Sequence, residues 1–168
     1  MSARTVVIGN SGSGKTWLAQ RLARLRGVPC VHLDDLFWMP GRFDIRRPAA
    51  DVAAIVGEQL RVDGWVVEGV FGDLAAQFLP AATQLLWLHL PWAVCEQRLL
   101  GRGAQNSHHH GRQASPQDLG ELLEWAGAYD TRLTASSEQG HRALFDGFAL
   151  DRHELCSESA VMAFLRQA

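Results

Sequence analysis

Lysine is almost missing from this chain: among 16 basic side chains only Lys15 is a lysine, and the rest are arginines. That scarcity excludes the ordinary GTPase class, whose Asn-Lys-x-Asp or Thr-Lys-x-Asp guanine-reading run needs a lysine of its own. Cysteine is scarce as well. Cys30, Cys95 and Cys156 are odd in number and scattered, with no CxxC pair, which predicts three reduced, mostly packed thiols in place of a disulfide framework. An excess of positive charge is also absent. A formal net charge of −2 and a pI near 6.4 supply no long-range field for a nucleic-acid backbone. No direct nucleic-acid binding is therefore expected, and any anion must be held locally. Long apolar runs are lacking too: "VVIG", "WVVEGVF" and "LLWLHLPW" fall far short of the ~20 residues that span a membrane. The opening "MSARTVV" enters a strand-like run without a signal-peptide core, which predicts a cytoplasmic protein with no membrane partner.

What is present is an ordinary globular balance, 47 % hydrophobic and 20 % charged, in a chain of 168 residues. Such a length is expected to make one domain, residues 1–168, with a real core. Five short runs read as strands: "TVVIG", "PCVHL", "WVVEG", "QLLWLHL" and "ALFDG". Several are apolar on consecutive residues, as strands buried on both faces should be. Helical stretches lie between them. Leu18, Leu22 and Leu25 mark one helix face, closed by Gly27 and Pro29; Ala53, Val56 and Leu60 mark a second. Pro91 suits the first turn of a third. Ser115-Pro116-Gln117-Asp118 reads as a helix start followed by Leu119, Leu122, Leu123 and Ala126, and Ser157 as the cap of a last helix carrying Val161, Phe164 and Leu165. Alternating strand and helix predicts an α/β protein with a parallel sheet and helices on both faces. One tract, "GRGAQNSHHHGRQASP" at 101–116, is too polar to pack and has the size of a lid or a plain surface loop.

The strongest chemical signal is "GNSGSGKT", residues 9–16, between the first strand and the first helix. Gly9, four residues, then Gly14-Lys15-Thr16 is the phosphate-loop, or Walker A, pattern. The glycines allow the backbone of Gly9, Asn10, Ser11, Gly12, Ser13 and Gly14 to curl so that successive N–H groups point at a phosphate, and the helix N-terminus adds its positive end. Thr16 is placed to ligate Mg²⁺, and Lys15 to reach the β- and γ-phosphates of a nucleotide. Lysine suits this nest because it is a compact point charge on a thin stem, whereas an arginine fork needs room and a fixed approach. Too short for a multidomain motor ATPase, the chain reads as a small phosphotransferase or a switch-like ATP binder.

Four stretches, "VIGNSGSGKTWLAQRLA", "VPCVHLDDLFWMPG", "GWVVEGVF" and "QLLWLHLPWAVCEQRLLGR", resemble the adenylate-kinase-like P-loop proteins called DNA topology modulation proteins. The resemblance runs from about residue 4 to residue 132. It implies a three-layer α/β/α P-loop NTPase fold of the nucleoside-monophosphate-kinase type, with parallel strand order 2-3-1-4-5. ATP as donor, a lid at about 101–116, and an acceptor site after the second and third strands are also implied. Through "RLLGR" the resemblance implies that Arg98 and Arg102 contact ATP; they lie four apart on one helix face and would neutralise charge on the transferring phosphoryl. Arg112 and Arg132 are weaker candidates for the same role. By the same analogy the loop after Asp146-Gly147 would lie beside the adenine.

The remaining candidates are read from the residues. Glu68 ends an apolar strand, where ligands gather in such sheets, and would hold Mg²⁺ through water or pair with an arginine. Asp34 and Asp35 follow the second strand; either could accept a proton from an acceptor hydroxyl or cap the next turn, with Asp34 favoured as base. Arg42, Arg46 and Arg47 would hold an anionic acceptor or decorate a surface turn. His108-His109-His110 do not converge easily on one ion and read as solvated lid residues. Adenylate kinases proper carry an arginine after the third strand, and topology modulation proteins usually carry Asp-Gly-Asn-Tyr; here the run is Glu68-Gly69-Val70-Phe71-Gly72. With that clamp for a nucleoside monophosphate missing, the acceptor is expected to bear a hydroxyl activated by Asp34. The expectation is thus an ATP- and Mg²⁺-dependent kinase of a small molecule or nucleotide. Its alternative is an ATP-binding regulatory or interaction protein with weak ATPase activity.

Overall fold

A computed structural model describes residues 3–42, 45–102 and 116–168. In chain order the elements are β1 (Arg4–Gly9), α1 (Lys15–Arg26), β2 (Cys30–His32), α2 (Leu33–Phe37), α3 (Ala49–Leu60), β3 (Trp65–Gly69), α4 (Gly72–Phe78), β4 (Gln84–Leu88), α5 (Trp92–Arg102), α6 (Pro116–Gly127), α7 (Glu138–Gly147), β5 (Asp151–Leu155) and α8 (Glu158–Leu165). The strands form one sheet in the order β2-β3-β1-β4-β5, and every neighbouring pair is parallel.

Successive side chains of a strand point to opposite faces, and here both faces are covered. Val6, Ile8, Trp65, Val67, Leu85 and Trp87 enter one core with Leu36, Val52, Val56, Leu74 and Phe78 from α2, α3 and α4. The intervening Val7, Val66, Leu86 and Leu88 enter a second core with Leu18, Ala19 and Leu22 of α1 and Val161 of α8. This is why the first, third and fourth strands carry unbroken apolar runs. It also makes the architecture three-layered. Among the described residues no helix is long and apolar enough to cross a membrane.

Three sequence expectations need correction. "ALFDG" is not the fifth strand; it is the end of α7, whose N-terminus is capped by Ser137 accepting from the Gly140 N–H at 3.0 Å. Its apolar residues follow a helical stripe, with Leu144 and Phe145 packed on the first core. The real fifth strand, "DRHEL", is an edge strand burying only Leu155 of its five residues. Its polar alternation therefore hides it. The loop at the carboxyl end of that strand is accordingly Cys156-Ser157, and the segment after Gly147 lies at the opposite end of the sheet. The helix faces also shift slightly. Leu25 stands at the edge of the α1 stripe and is exposed, while Ala19 and Ala23 are buried. In α3 the buried residues are Val52 and Val56, and Ala53 is exposed.

Two helix starts match the sequence reading. Helix α6 begins at Pro116, and Ser157 caps α8 through the Ala160 N–H at 3.1 Å. The lid tract between Gly103 and Ser115, with His108, His109, His110 and Arg112, lies outside the described residues.

Candidate active site

The turn between β1 and α1 is curled by glycines in the left-handed region, Gly12 at φ 79° and Gly14 at φ 94°. Gly12 is needed twice over: a Cβ there would stand 2.5 Å from the Cys95 carbonyl of α5. The loop is braced from inside. The Ser11 N–H donates to Asn10 Oδ1 at 2.8 Å, and Asn10 Nδ2 donates to the Ala126 carbonyl at the end of α6 at 2.9 Å. Lys15 Nζ donates to the Asn10 carbonyl at 2.8 Å, which holds the ammonium inside the curl. Burial lowers the Lys15 pKa, and the carboxylates of Glu68 and Asp34 only partly oppose it.

Glu68 stands at the carboxyl end of β3, nearly inaccessible. Thr16 Oγ1 donates to its Oε1 at 3.0 Å, and His32 Nδ1 meets the same oxygen at 2.7 Å. His32 and Glu68 are register partners of adjacent strands, so the sheet itself places them side by side. Burial alone would push the Glu68 carboxyl up; the His32 hydrogen bond, the Lys15 ammonium and the Thr16 hydroxyl together hold it below the usual carboxylate value. The hydrogen bond to Glu68 raises the His32 pKa in turn, against the effect of burial. His32 was missed in the sequence reading. Its one signal there is a polar residue closing an apolar strand.

Arg98 reaches the loop from α5. Its guanidinium donates to the Ser13 carbonyl at 2.8 Å and pairs with Glu158 of α8. Arg102 is at the exposed end of α5 and acts on Lys15 only through its field. Asp34 lies in the first turn of α2, two residues after His32, where its charge acts on both Lys15 and His32. The structure thus brings Lys15, Thr16, Glu68, Asp34 and Arg98 to one end of the sheet.

Other arginines are engaged elsewhere. Arg132 donates to the Trp125 and Ser136 carbonyls with its guanidinium 3.7 Å over the Trp125 ring. Arg47 Nε donates to the Leu36 carbonyl at 3.2 Å and Nη2 to that of Asp35 at 3.0 Å, clamping the end of α2. Arg46 lies 4.8 Å over the Phe37 ring. The opposite wall is aromatic: Phe37 and Phe71 stack in parallel with centroids 3.8 Å apart.

The donor set suits a phosphate and a hard divalent ion. Ser13 Oγ is buried with no partner among the described residues, and the Thr16 hydroxyl and Glu68 carboxylate are paired oxygen donors of the kind Mg²⁺ takes.

No family model and no curated protein matches the chain. Solved structures do. A gluconokinase from Sinorhizobium meliloti aligns over 99 % of this chain and 93 % of its own, at 18 % identity and a TM-score of 0.50. A shikimate kinase from Bacteroides thetaiotaomicron aligns over 98 % of this chain and 95 % of its own, at 17 % identity and a TM-score of 0.52. The chain shares the fold of these two structures, a parallel sheet of order β2-β3-β1-β4-β5 flanked by helices.

Proposed function

We propose that this protein is an ATP-dependent kinase transferring the γ-phosphate to a small hydroxyl-bearing acceptor. The observation that carries the reading is the convergence of Lys15, Thr16 and Glu68 on one curled loop, with Asp34 across from them at the end of β2. In this reading the N–H groups of residues 9–16 cradle the phosphates and Lys15 follows the charge onto the leaving oxygen. Arg98 steadies the loop from outside and, with Arg102, would turn toward the phosphates when the nucleotide is bound. Thr16 directly, and Glu68 through water, would hold Mg²⁺, which would neutralise charge developing on the phosphates. Asp34 accepts the acceptor's hydroxyl proton.

Three observations favour a hydroxyl over a nucleoside monophosphate as acceptor. The run after Glu68 has no arginine. Phe37 and Phe71 stack on each other, so neither inner face is open to a base. Two matched structures are kinases named for hydroxylated acids. Because Arg46 and Arg47 are committed to α2, an anionic group on the acceptor is not assigned to them. The closer resemblance to topology modulation proteins, the single-domain extent over 1–168, a cytoplasmic location and the absence of a nucleic-acid partner rest on the sequence alone.

The test is a screen for ADP release with sugar acids, polyols and nucleoside monophosphates, run on wild type and Asp34→Asn. A positioned base is worth ~10²–10⁴-fold, so Asp34→Asn should lose about that much turnover on a hydroxyl acceptor while ATP affinity barely changes. Brisk AMP phosphorylation unaffected by Asp34→Asn would make the protein a nucleotide kinase. Slow ATP loss that no acceptor accelerates would favour the regulatory alternative.

A further inference from the structure

At the other side of β1 from Glu68, the carboxyl ends of β4 and β5 bring together a second set of polar groups that the kinase reading does not use. His89 follows β4 and is held by its backbone N–H donating to the Leu155 carbonyl at 3.0 Å. The ligand atoms of His89, Glu154 and Cys156 all lie within 4.8 Å of one another. His89 Nδ1 meets Glu154 Oε1 at 2.7 Å, and Cys156 is exposed at the start of the loop after β5.

We infer that His89, Glu154 and Cys156 form a binding site for a zinc-class divalent ion. An imidazole nitrogen, a carboxylate oxygen and a thiolate are the donors a tetrahedral Zn²⁺ accepts, at about 2.0–2.3 Å each. Three such ligands stand roughly 3.3–3.8 Å apart around the ion, so the cluster needs only a small contraction around Cys156 and a small widening of the His89–Glu154 contact. The neutral imidazole binds the ion through Nδ1 and carries its one proton on Nε2. The Cys156 thiol gives up its proton to solvent on forming the metal–sulfur bond, while three waters leave the ion.

The surroundings orient these ligands as the outer partners of metal sites do. Glu138 Oε1 stands 3.4 Å from His89 Nε2, which leaves Nδ1 as the coordinating nitrogen. Arg142 bonds both oxygens of Glu154, at 3.3 and 3.1 Å; with Oε1 on the ion it keeps Oε2. The Trp87 ring stacks on His89 at 4.3 Å and fixes the imidazole plane. A cleft of about 390 Å³, lined by Asn10, Trp92 and Tyr129 as well as His89, Glu138 and Cys156, leaves the fourth position open to water or a ligand. This inference does not depend on the identity of the acceptor.

The full chain is titrated with Co²⁺ as a spectroscopic stand-in, and with Zn²⁺ against a chromophoric chelator. His108, His109 and His110 are replaced by alanine in every protein tested, so that they cannot supply the signal. One equivalent of Co²⁺ should bind with an intense near-ultraviolet thiolate-to-cobalt absorption. Cys156→Ser, an exposed surface change, should abolish that band, and His89→Ala should weaken Zn²⁺ binding by about 100-fold or more. Glu138→Gln should weaken it ~10–100-fold, as loss of an outer partner does. Absence of the band, its survival in Cys156→Ser, or unchanged Zn²⁺ affinity in a folded His89→Ala protein would each overturn the assignment.

Discussion

Two histidine–carboxylate pairs stand at the same end of the sheet, on either side of β1, and both close at 2.7 Å. His32–Glu68 joins β2 to β3; His89–Glu154 joins the end of β4 to β5. Their surroundings differ. Glu68 is sealed beneath the phosphate loop with Lys15 and Thr16, while Glu154 sits at the sheet edge with Arg142 and an exposed cysteine beside it. One geometry therefore serves two ends. Inside, where the dielectric is low, the pair counterbalances a buried ammonium; at the edge, water screens it and its donors stay available.

The difference should be measurable as stability. Glu68→Gln leaves Lys15 buried without its nearest carboxylate, and breaking a buried charged group's partnership costs about 3–5 kcal/mol. A loss of unfolding free energy smaller than about 1 kcal/mol by urea titration would erase the distinction between the pairs.

Lys15→Ala probes the inner pair from its other side. The alanine chain should fold, since Glu68 keeps His32 and Thr16, but it should lose about 10²–10³-fold in ATP turnover, the loss typical of one electrostatic donor in a site. Wild-type activity in this variant would remove the phosphate-loop account.

A third histidine sharpens the comparison because it is buried without a carboxylate. His141 Nε2 donates to the Val70 carbonyl at 2.9 Å, Nδ1 accepts from the Tyr129 hydroxyl at 2.6 Å, and that hydroxyl accepts from Trp87 Nε1 at 3.1 Å. Burial, only partly opposed by the bond to Val70, pulls its pKa from 6.5 to about 4. As pH falls from 6.5 toward 4, the unfolded chain takes up a proton that the folded chain refuses. Stability should drop by about 3 kcal/mol over that window and no further below it. His32 acts in the opposite sense. Its raised pKa makes its share of stability complete below about 6.5 and lost as pH rises through the higher folded value. The lowered Glu68 pKa makes its share complete above about 4.5 and lost as pH falls through the lower folded value. Urea midpoints of wild type and His141→Gln between pH 4 and 7 separate these slopes; parallel curves would contradict the buried neutral imidazole.

The smallest effect belongs to the outer pair. Glu154→Gln should change stability by no more than about 1 kcal/mol, as partly exposed ion pairs do. A loss matching that of Glu68→Gln would mean that burial does not separate the two.

Much of the fold was legible without coordinates, for reasons visible in particular residues. Strands β1, β3 and β4 are covered on both faces, so Val6-Val7-Ile8, Trp65-Val66-Val67 and Leu85-Leu86-Trp87 had to be apolar without a break. The phosphate loop was legible because its chemistry is local: glycines for the curl, Lys15 for charge, Thr16 for the metal. Strand β5 was not, because an edge strand buries little and its "DRHEL" carries no apolar run. The compact "ALFDG" outshone it, although Leu144 and Phe145 belong to the helix that Ser137 caps. Legibility failed where a contact spans the chain.

By itself the sequence determined an alternating α/β chain, the nest around Lys15, and acidic residues at two strand ends, Asp34 and Glu68. Only tertiary structure decided how those strand ends pair. Strand order β2-β3-β1-β4-β5 places His32 against Glu68 in register and carries His89 to Glu154 and Cys156 across 65 or more positions of chain. It also decided that Arg98 of α5 lies on Ser13 and that Arg46 and Arg47 serve α2. The physical reason is range. Backbone propensity and apolar periodicity act over a few residues, whereas the energy of a charge depends on every group and every water within several ångströms of it, whichever part of the chain supplies them.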